Sequence, residues 1–348
     1  MTEPLDEPIV TLADVRAAAE RVRGRVVRTP LLPFAAADPD RPLWLKAESL
    51  QPTGAFKLRG AYNAILQRLD EARARGVVTH SSGNHARAVA WVARELGLRA
   101  TIVMPDAAPE AKIAAVRALG AEVVIVTPDQ RDSRAGELAA EHAFVMVPPY
   151  DDAAVVAGQG TVGLEVSEDL PDLDVVLVPV SGGGLIGGIA TAVKALSPRT
   201  LVIGVEPELA ADAAESFRRG HRVEWSAADT YRTIADGLRT TSVGAIPWRQ
   251  IRRYVDGIVT VTEDEIRDAV RTLARDARLV AEPSGAVTTA AYQHRADQLP
   301  ATGRFVAVVS GGNIAPDVLA QLILEVPGAQ PRNLVSPSSS RSTSESDV

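Results

Sequence analysis

Lys57 lies in the run Glu48-Ser49-Leu50-Gln51-Pro52-Thr53-Gly54-Ala55-Phe56-Lys57-Leu58-Arg59-Gly60. Its residue type is rare in this chain. Of 37 basic residues only four are lysines: Lys46, Lys57, Lys112 and Lys194. Arginine therefore carries almost all of the generic positive charge. A guanidinium stays protonated, whereas an amine can lose its proton and condense with an aldehyde. A lysine following a Gly-Ala-Phe turn in so arginine-rich a chain is a candidate for covalent chemistry. Taken alone, a lysine is more often a solvated surface charge.

Three further loops bear on the choice. His80-Ser81-Ser82-Gly83-Asn84-His85 runs directly into a helical pattern. Its hydroxyls, its amide and the helix amino terminus suit a carboxylate or a phosphate, and they equally make an ordinary helix cap. Ser181-Gly182-Gly183-Gly184-Leu185 separates an apolar run from another helical pattern. Backbone N–H groups of consecutive glycines can curl around a phosphate, although a tight turn also uses glycine. No Gly-Lys-Ser/Thr follows, so this is not a nucleotide P-loop. Val308-Val309-Ser310-Gly311-Gly312-Asn313 delivers a hydroxyl at the end of an apolar run, again in a setting that a plain turn would share. Together the loops supply a reactive amine, a phosphate cradle, a carboxylate site and a polar group for a ring nitrogen. That is the inventory needed to hold pyridoxal phosphate.

The elements that must position these loops alternate. The patterning predicts strands over 43–47, 76–80, 100–104, 122–126, 175–180, 202–206, 257–261 and 305–310. Helices are expected over 53–69, with Thr53 as N-cap, and over 84–96, 109–119, 131–141 and 185–196. Such βα alternation predicts an α/β fold with parallel-rich sheets flanked by helices and ligands beyond the carboxyl ends of the strands. Residues 1–75 and 149–330 read as a large domain. Residues 76–148 read as a small inserted α/β domain. Residues 331–348 are Ser-rich and nearly free of apolar side chains, and read as a disordered tail.

Bulk properties narrow the function. A chain of 348 residues can build sizeable cores. The net charge of −7 gives no basic footprint for nucleic acid or an anionic membrane. With no cysteine there is no disulfide framework, thiolate metal site or cysteine nucleophile, as suits a cytoplasmic protein. The acidic amino terminus is not a signal peptide. Residues 175–193 are uncharged and could pass for a membrane helix, but Pro179 and Gly182-Gly183-Gly184 break them into strand, loop and helix.

On these motifs the chain resembles the serine/threonine dehydratase and serine racemase family, fold-type-II pyridoxal phosphate enzymes. The resemblance runs from about Val10 to Leu324, and it implies that the large domain binds the cofactor and that the active site lies between the two domains. The run from Glu48 to Lys57 is similar to the family's cofactor-lysine motif, which implies that Lys57 bonds to the cofactor aldehyde and Phe56 packs near its ring. Residues 81–85 resemble the substrate loop. That implies substrate contacts from Ser81, Asn84 and His85, an Asn84 contact to the ring hydroxyl, and Ser82 facing Lys57 across the cofactor. Ser181, Gly182, Gly183, Gly184 and Leu185 resemble the phosphate loop, with Ser181 where glycine is common. Ser310 matches the residue facing the ring nitrogen. Arg134 and Gln159 fall where family members border the site. Glu206, Ala210 and Asp212 resemble a divalent-cation loop for Mg2+ or else Ca2+ or Mn2+, both carboxylates also being readable as surface acids at a helix start. Ala86 and Arg87 depart from the pattern, glycine being usual after His85.

The resemblance implies an ammonia-lyase that eliminates water from a β-hydroxy amino acid such as L-threonine or L-serine to give a 2-oxo acid and ammonia. Lys57 would serve as base. A neutral Ser310 opposite the ring nitrogen makes a weaker electron sink and favours prompt loss of the β-hydroxyl, with the cofactor phosphate assisting that departure. Racemisation uses the same parts, with Ser82 returning a proton to the other face. A β-replacement synthase and a non-catalytic binding protein on the same scaffold are the remaining alternatives. The expected partners are a small amino-acid substrate and a second copy of the chain in a homodimer. The chain is expected to have no room for a second regulatory domain, which points to catabolic or secondary metabolism.

Overall fold

The computed structural model describes residues 10–324. The tail over 331–348 lies outside these described residues. In chain order the strands are β1 (Leu31–Pro33), β2 (Leu43–Ala47), β3 (Val77–His80), β4 (Ala100–Pro105), β5 (Glu122–Val126), β6 (Val145–Met146), β7 (Val175–Pro179), β8 (Leu201–Pro207), β9 (Gly257–Val261) and β10 (Phe305–Val309). They form two sheets. One has six strands in the order β1-β2-β10-β7-β8-β9, and the other has four in the order β5-β4-β3-β6.

Parallel pairing dominates, as the βα alternation predicts. Every pair of the smaller sheet is parallel, and so are β2–β10, β10–β7, β7–β8 and β8–β9. The exception is β1, which runs antiparallel to β2. This edge strand is three residues long and ends in proline, so its pattern is too short to register as a strand. Val176, Leu177, Val178 and Phe305 to Val309 are completely buried, because helices cover both faces of the larger sheet.

The topology brings the chemistry-bearing loops together. β2, β10 and β7 are sequence-distant but adjacent in the sheet, and all three run the same way. Their carboxyl ends therefore release the lysine loop, the Ser310 loop and the glycine loop side by side. The segment 81–83 leaves the carboxyl end of β3 in the smaller sheet.

The lysine helix differs from its expected extent. It covers Lys57–Gln67, and its N-cap is Phe56 without a side-chain cap bond. Thr53 is not the cap; its hydroxyl is buried without a partner. Gly54 adopts φ +75°, Ala55 bridges Gly311, and Phe56 N–H donates to the Ser310 carbonyl at 3.0 Å. Residues 53–56 are thus tied to the loop after β10 and cannot enter the helix.

A buried ionic cluster anchors this helix. Arg59 donates to both Glu48 oxygens at 2.8 Å and to Glu165 at 2.6 and 2.9 Å. Lys46 donates to Glu165 at 2.6 Å and to the Thr29 carbonyl at 2.7 Å. Arg59, Lys46 and Glu48 are completely buried. Two cations against two carboxylates leave the cluster neutral and its hydrogen bonds largely made, the condition under which buried charge is tolerated. The cluster joins the end of β2, the lysine helix and the long helix Ala153–Asp169. Removing one member of such a cluster strands its partners. Arg59→Met is expected to lower unfolding stability by about 3–5 kcal/mol, read as a fall in the urea midpoint. A midpoint unchanged from the parent would show that the cluster is dispensable.

Candidate active site

Three of the four lysines pair with carboxylates, and this singles out Lys57. Lys46 pairs with Glu165, Lys112 with Asp236 and Lys194 with Asp256. The Lys57 amine donates to a carbonyl, that of Pro149, at 2.7 Å, and lies 5.1 Å from the centre of the Phe56 ring. The protein around the amine excludes water and disfavours its charged form, so burial lowers its pKa to about 8. By surface area the residue as a whole is only half-buried. A free amine is thereby available close to neutral pH.

Pro149 also lines a cleft, together with His80, Tyr150, Arg222, Ser242 and Gly244, among others. Tyr150 packs against the glycine loop so closely that a side chain on Gly182 would overlap its ring. Gly183 has φ +86°, and a Cβ there would approach Pro247, Ile251 and Val243 to about 3 Å. Beyond it the helix Gly184–Leu196 begins, with Leu185 buried. The first N–H groups of that helix have no intrahelical acceptor and suit an anion. Ser181 shares a 2.7 Å hydrogen bond with Thr240.

Ser310 is buried at the end of β10, with its hydroxyl 3.5 Å from the Ser284 carbonyl. In the substrate loop, Ser81 Oγ accepts from Gly83 N–H at 3.2 Å, and Ser82 is half-buried. Asn84 donates to Glu282 at 2.6 Å and accepts from Asn313 at 2.8 Å. Burial pushes Glu282 up to about 8. His85 is buried. Its Nε2–H donates to the Val147 carbonyl at 2.9 Å, and burial lowers its pKa to about 3, so it is neutral at pH 7. Its Nδ1 is buried without a partner.

Two residues named from the sequence have their polar partners within or between helices. Arg134 extends along its own helix to Glu137 and Glu141. Gln159 is buried between the long helix and the lysine helix, where it accepts from Gly60 N–H at 3.2 Å. On the helix of Arg134 it is Asp132 that reaches the cleft. It lies 2.8 Å from His80 Nδ1, and that contact holds the Asp132 carboxyl well below its usual range.

The model of the family described as pyridoxal-phosphate dependent enzyme matches residues 22–311. That span contains Lys57, the substrate loop, the glycine loop, Ser310 and every strand from β1 to β10. The chain belongs to the pyridoxal-phosphate dependent enzyme family. It is 42% identical to an L-threonine ammonia-lyase of Thermotoga maritima over 90% of this chain and 78% of that one. It is 40% identical to an L-threo-3-hydroxyaspartate ammonia-lyase of Saccharomyces cerevisiae over 90% of this chain and 97% of the relative. The solved structure of maize serine racemase superposes with a TM-score of 0.85 at 35% identity, covering 90% of this chain and 96% of that one.

The residues present fit the family's cofactor. A buried, uncharged-prone amine, a glycine loop that has no room for side chains and a buried hydroxyl at the end of β10 open on the carboxyl ends of adjacent strands. Pro149, Tyr150, Glu282 and Asn313 escape the sequence reading. Pro149 contributes only its backbone. Glu282 precedes a Pro-Ser-Gly helix start that resembles any other. Asn313 is visible in the Ser-Gly-Gly-Asn loop but has no local signal of its distant partners.

The lowered Lys57 pKa has a direct consequence. The amine is protonated below its pKa and reactive above it, so uptake of pyridoxal phosphate by the cofactor-free chain should accelerate with pH and level off above about 8. Stopped-flow absorbance from pH 6 to 10 checks this. A rate still climbing at the top of that range would show an ordinary lysine.

Proposed function

We propose that the protein is a pyridoxal phosphate-dependent ammonia-lyase acting on a β-hydroxy amino acid, L-threonine or L-serine first among them. The observation that carries this reading is the Lys57 amine, the one lysine among the described residues whose polar partner is a carbonyl and not a carboxylate. Lys57, Phe56, Asn84, Ser310 and the loop Ser181 to Leu185 would hold the cofactor. When bound, it supplies an aldehyde for the amine and a ring that takes up the substrate's α-electron pair.

The chain's own residues do the rest. Lys57 Nζ, whose lowered pKa leaves a substantial neutral fraction near pH 8, would take the α-proton. Ser81 and the first turn of the helix Asn84–Leu96 present donors to the substrate carboxylate. His85 is neutral and adds no charge to a site that already receives an anion. The β-hydroxyl would depart as water by taking up a proton equivalent to the one removed from the α-carbon, and hydrolysis of the enamine product would yield a 2-oxo acid and ammonia. The S. cerevisiae relative's name supports β-hydroxyaspartate as a third substrate to test.

Racemisation is the second reading. The likeness to maize serine racemase favours it, as does Ser82, a hydroxyl in the substrate loop available to return a proton. We further assign residues 76–148 to a separate small domain, supported by a sheet whose strands all fall between Val77 and Met146. No helix among the described residues is long and apolar enough to cross a membrane. A homodimer, on the family resemblance, and a cytoplasmic setting, suggested by a sequence without cysteine, complete the reading.

A divalent cation is also proposed at Glu206 and Asp212. Both side chains are completely buried, and both Asp212 oxygens have no hydrogen-bond partner. Glu206 accepts from Ala213 and Ala214 N–H at 3.3 and 2.7 Å. Two uncompensated buried carboxylates are costly without a cation, and an all-oxygen set with the Ala210 carbonyl suits Mg2+ or Ca2+.

Three measurements test these assignments. Loaded enzyme given L-threonine alone should release 2-oxobutanoate, and Lys57→Ala should abolish both the release and the visible absorbance. Chiral chromatography of residual L-serine checks the second reading, since D-serine without pyruvate would displace lyase chemistry as the main activity. Chelation with EDTA should lower the melting temperature and added Mg2+ should restore it in a concentration-dependent way, an effect that Asp212→Asn removes. Identical melting curves with and without metal would end the cation proposal.

A further inference from the structure

The Asn313 carboxamide sits where three separate segments meet. Its Nδ2 donates to the Thr53 carbonyl and to Asn84 Oδ1, each at 2.8 Å. Its Oδ1 accepts from Arg87 Nη1 at 2.9 Å. Thr53 precedes the cofactor lysine by four residues, while Asn84 and Arg87 lie on the first turn of the helix that follows the substrate loop. One short side chain thus spans the lysine loop and the substrate loop, whose strands belong to different sheets.

Its orientation has no freedom. A backbone carbonyl only accepts and a guanidinium only donates. Thr53 and Arg87 therefore both force the nitrogen and oxygen of Asn313 into one arrangement, and a flipped amide would face an acceptor with an acceptor and a donor with a donor. The constraint passes on. Asn313 donates to the Asn84 oxygen, which fixes the Asn84 amide so that its nitrogen faces Glu282 at 2.6 Å. One Asn84 N–H remains for the site. Gly54 leaves the required space: it has φ +75°, and a Cβ there would overlap the Asn313 carboxamide. Gly312 N–H closes the joint on the Gly54 carbonyl at 2.9 Å.

We propose that Asn313, held by Arg87 and the Thr53 carbonyl, is a positioning residue that ties the substrate loop to the lysine loop and makes Asn84 present a donor, not an acceptor, to the bound cofactor. Arg87 is the chain's own contribution to this joint. The proposal rests on the cofactor-dependent reading above only for its spectroscopic and kinetic arms.

Asn313→Asp tests it in the full chain, because it keeps the shape and the Arg87 contact while replacing both N–H donors with an oxygen. Amide hydrogen exchange of residues 53–57 and 81–87, measured before and after loading with pyridoxal phosphate, should accelerate at least tenfold in both segments. In the loaded variant the visible absorbance maximum should move, and kcat for threonine should fall at least tenfold with KM changed less than threefold. Should the variant not fold, Arg87→Met, at a half-exposed position, should show the same directions with smaller size. Parent-like exchange in both segments overturns the proposal, as does a fall in activity with the absorbance maximum unmoved. The exchange arm on unloaded protein reads the joint even if the protein proves to catalyse something else, so the two failures are distinguishable.

Discussion

The site depends on the buried pairing of Arg59 with Glu48 and Glu165. Lys57 begins its helix, and Arg59 is two residues further on. At that spacing the backbone of Lys57 moves with whatever holds Arg59. What holds Arg59 is a set of charge-assisted hydrogen bonds in a dry environment, from the end of β2 on one side and the long helix on the other. Such bonds are short, directional and costly to rearrange. They let a short irregular segment, 53–56, deliver the reactive amine without a capping residue.

The same distribution of charge explains the reactivity of that amine. The other three lysines each have a carboxylate beside them. Lys46 shares Glu165 with Arg59, and Lys112 and Lys194 each have an aspartate. Lys57 has the Pro149 carbonyl, a dipole and not an anion. Desolvation then acts without a compensating charge, and the neutral amine gains. His85 responds to burial in the same sense and stays neutral. Glu282 and Asp212 respond in the opposite sense, as acids must, and are pushed up to about 8 and about 7 by burial. The perturbed groups thus mark the site and the separate carboxylate pair, whereas the many exposed arginine–carboxylate pairs mark only a solvated surface.

Much of the fold is legible in the sequence because it is local. β-branched runs ended by glycine, such as Val175 to Pro179 before Gly182, announce strand and loop wherever they lie. Lys57 stands out by residue type, and the glycine loop by composition. Arg134 and Gln159 carry side chains suited to a site, yet one pairs along its own helix and the other fills the crossing of two helices. Thr53 has the chemistry of an N-cap but is pulled into a loop by contacts with residues more than 250 positions later.

What the sequence determined by itself is the inventory: most of the strands, the helices that follow the chemistry-bearing loops, the amine, the glycines, the hydroxyls, and with them the family. Each follows from side-chain type and short-range spacing, which act within a turn or a strand. The tertiary structure decided which of these groups meet. Strand order places β2, β10 and β7 side by side, burial sets the Lys57 and Glu282 proton affinities, and Asn313 closes on Thr53, Asn84 and Arg87. Those outcomes depend on desolvation and on hydrogen-bond partners far away along the chain, quantities that exist only once the chain has folded.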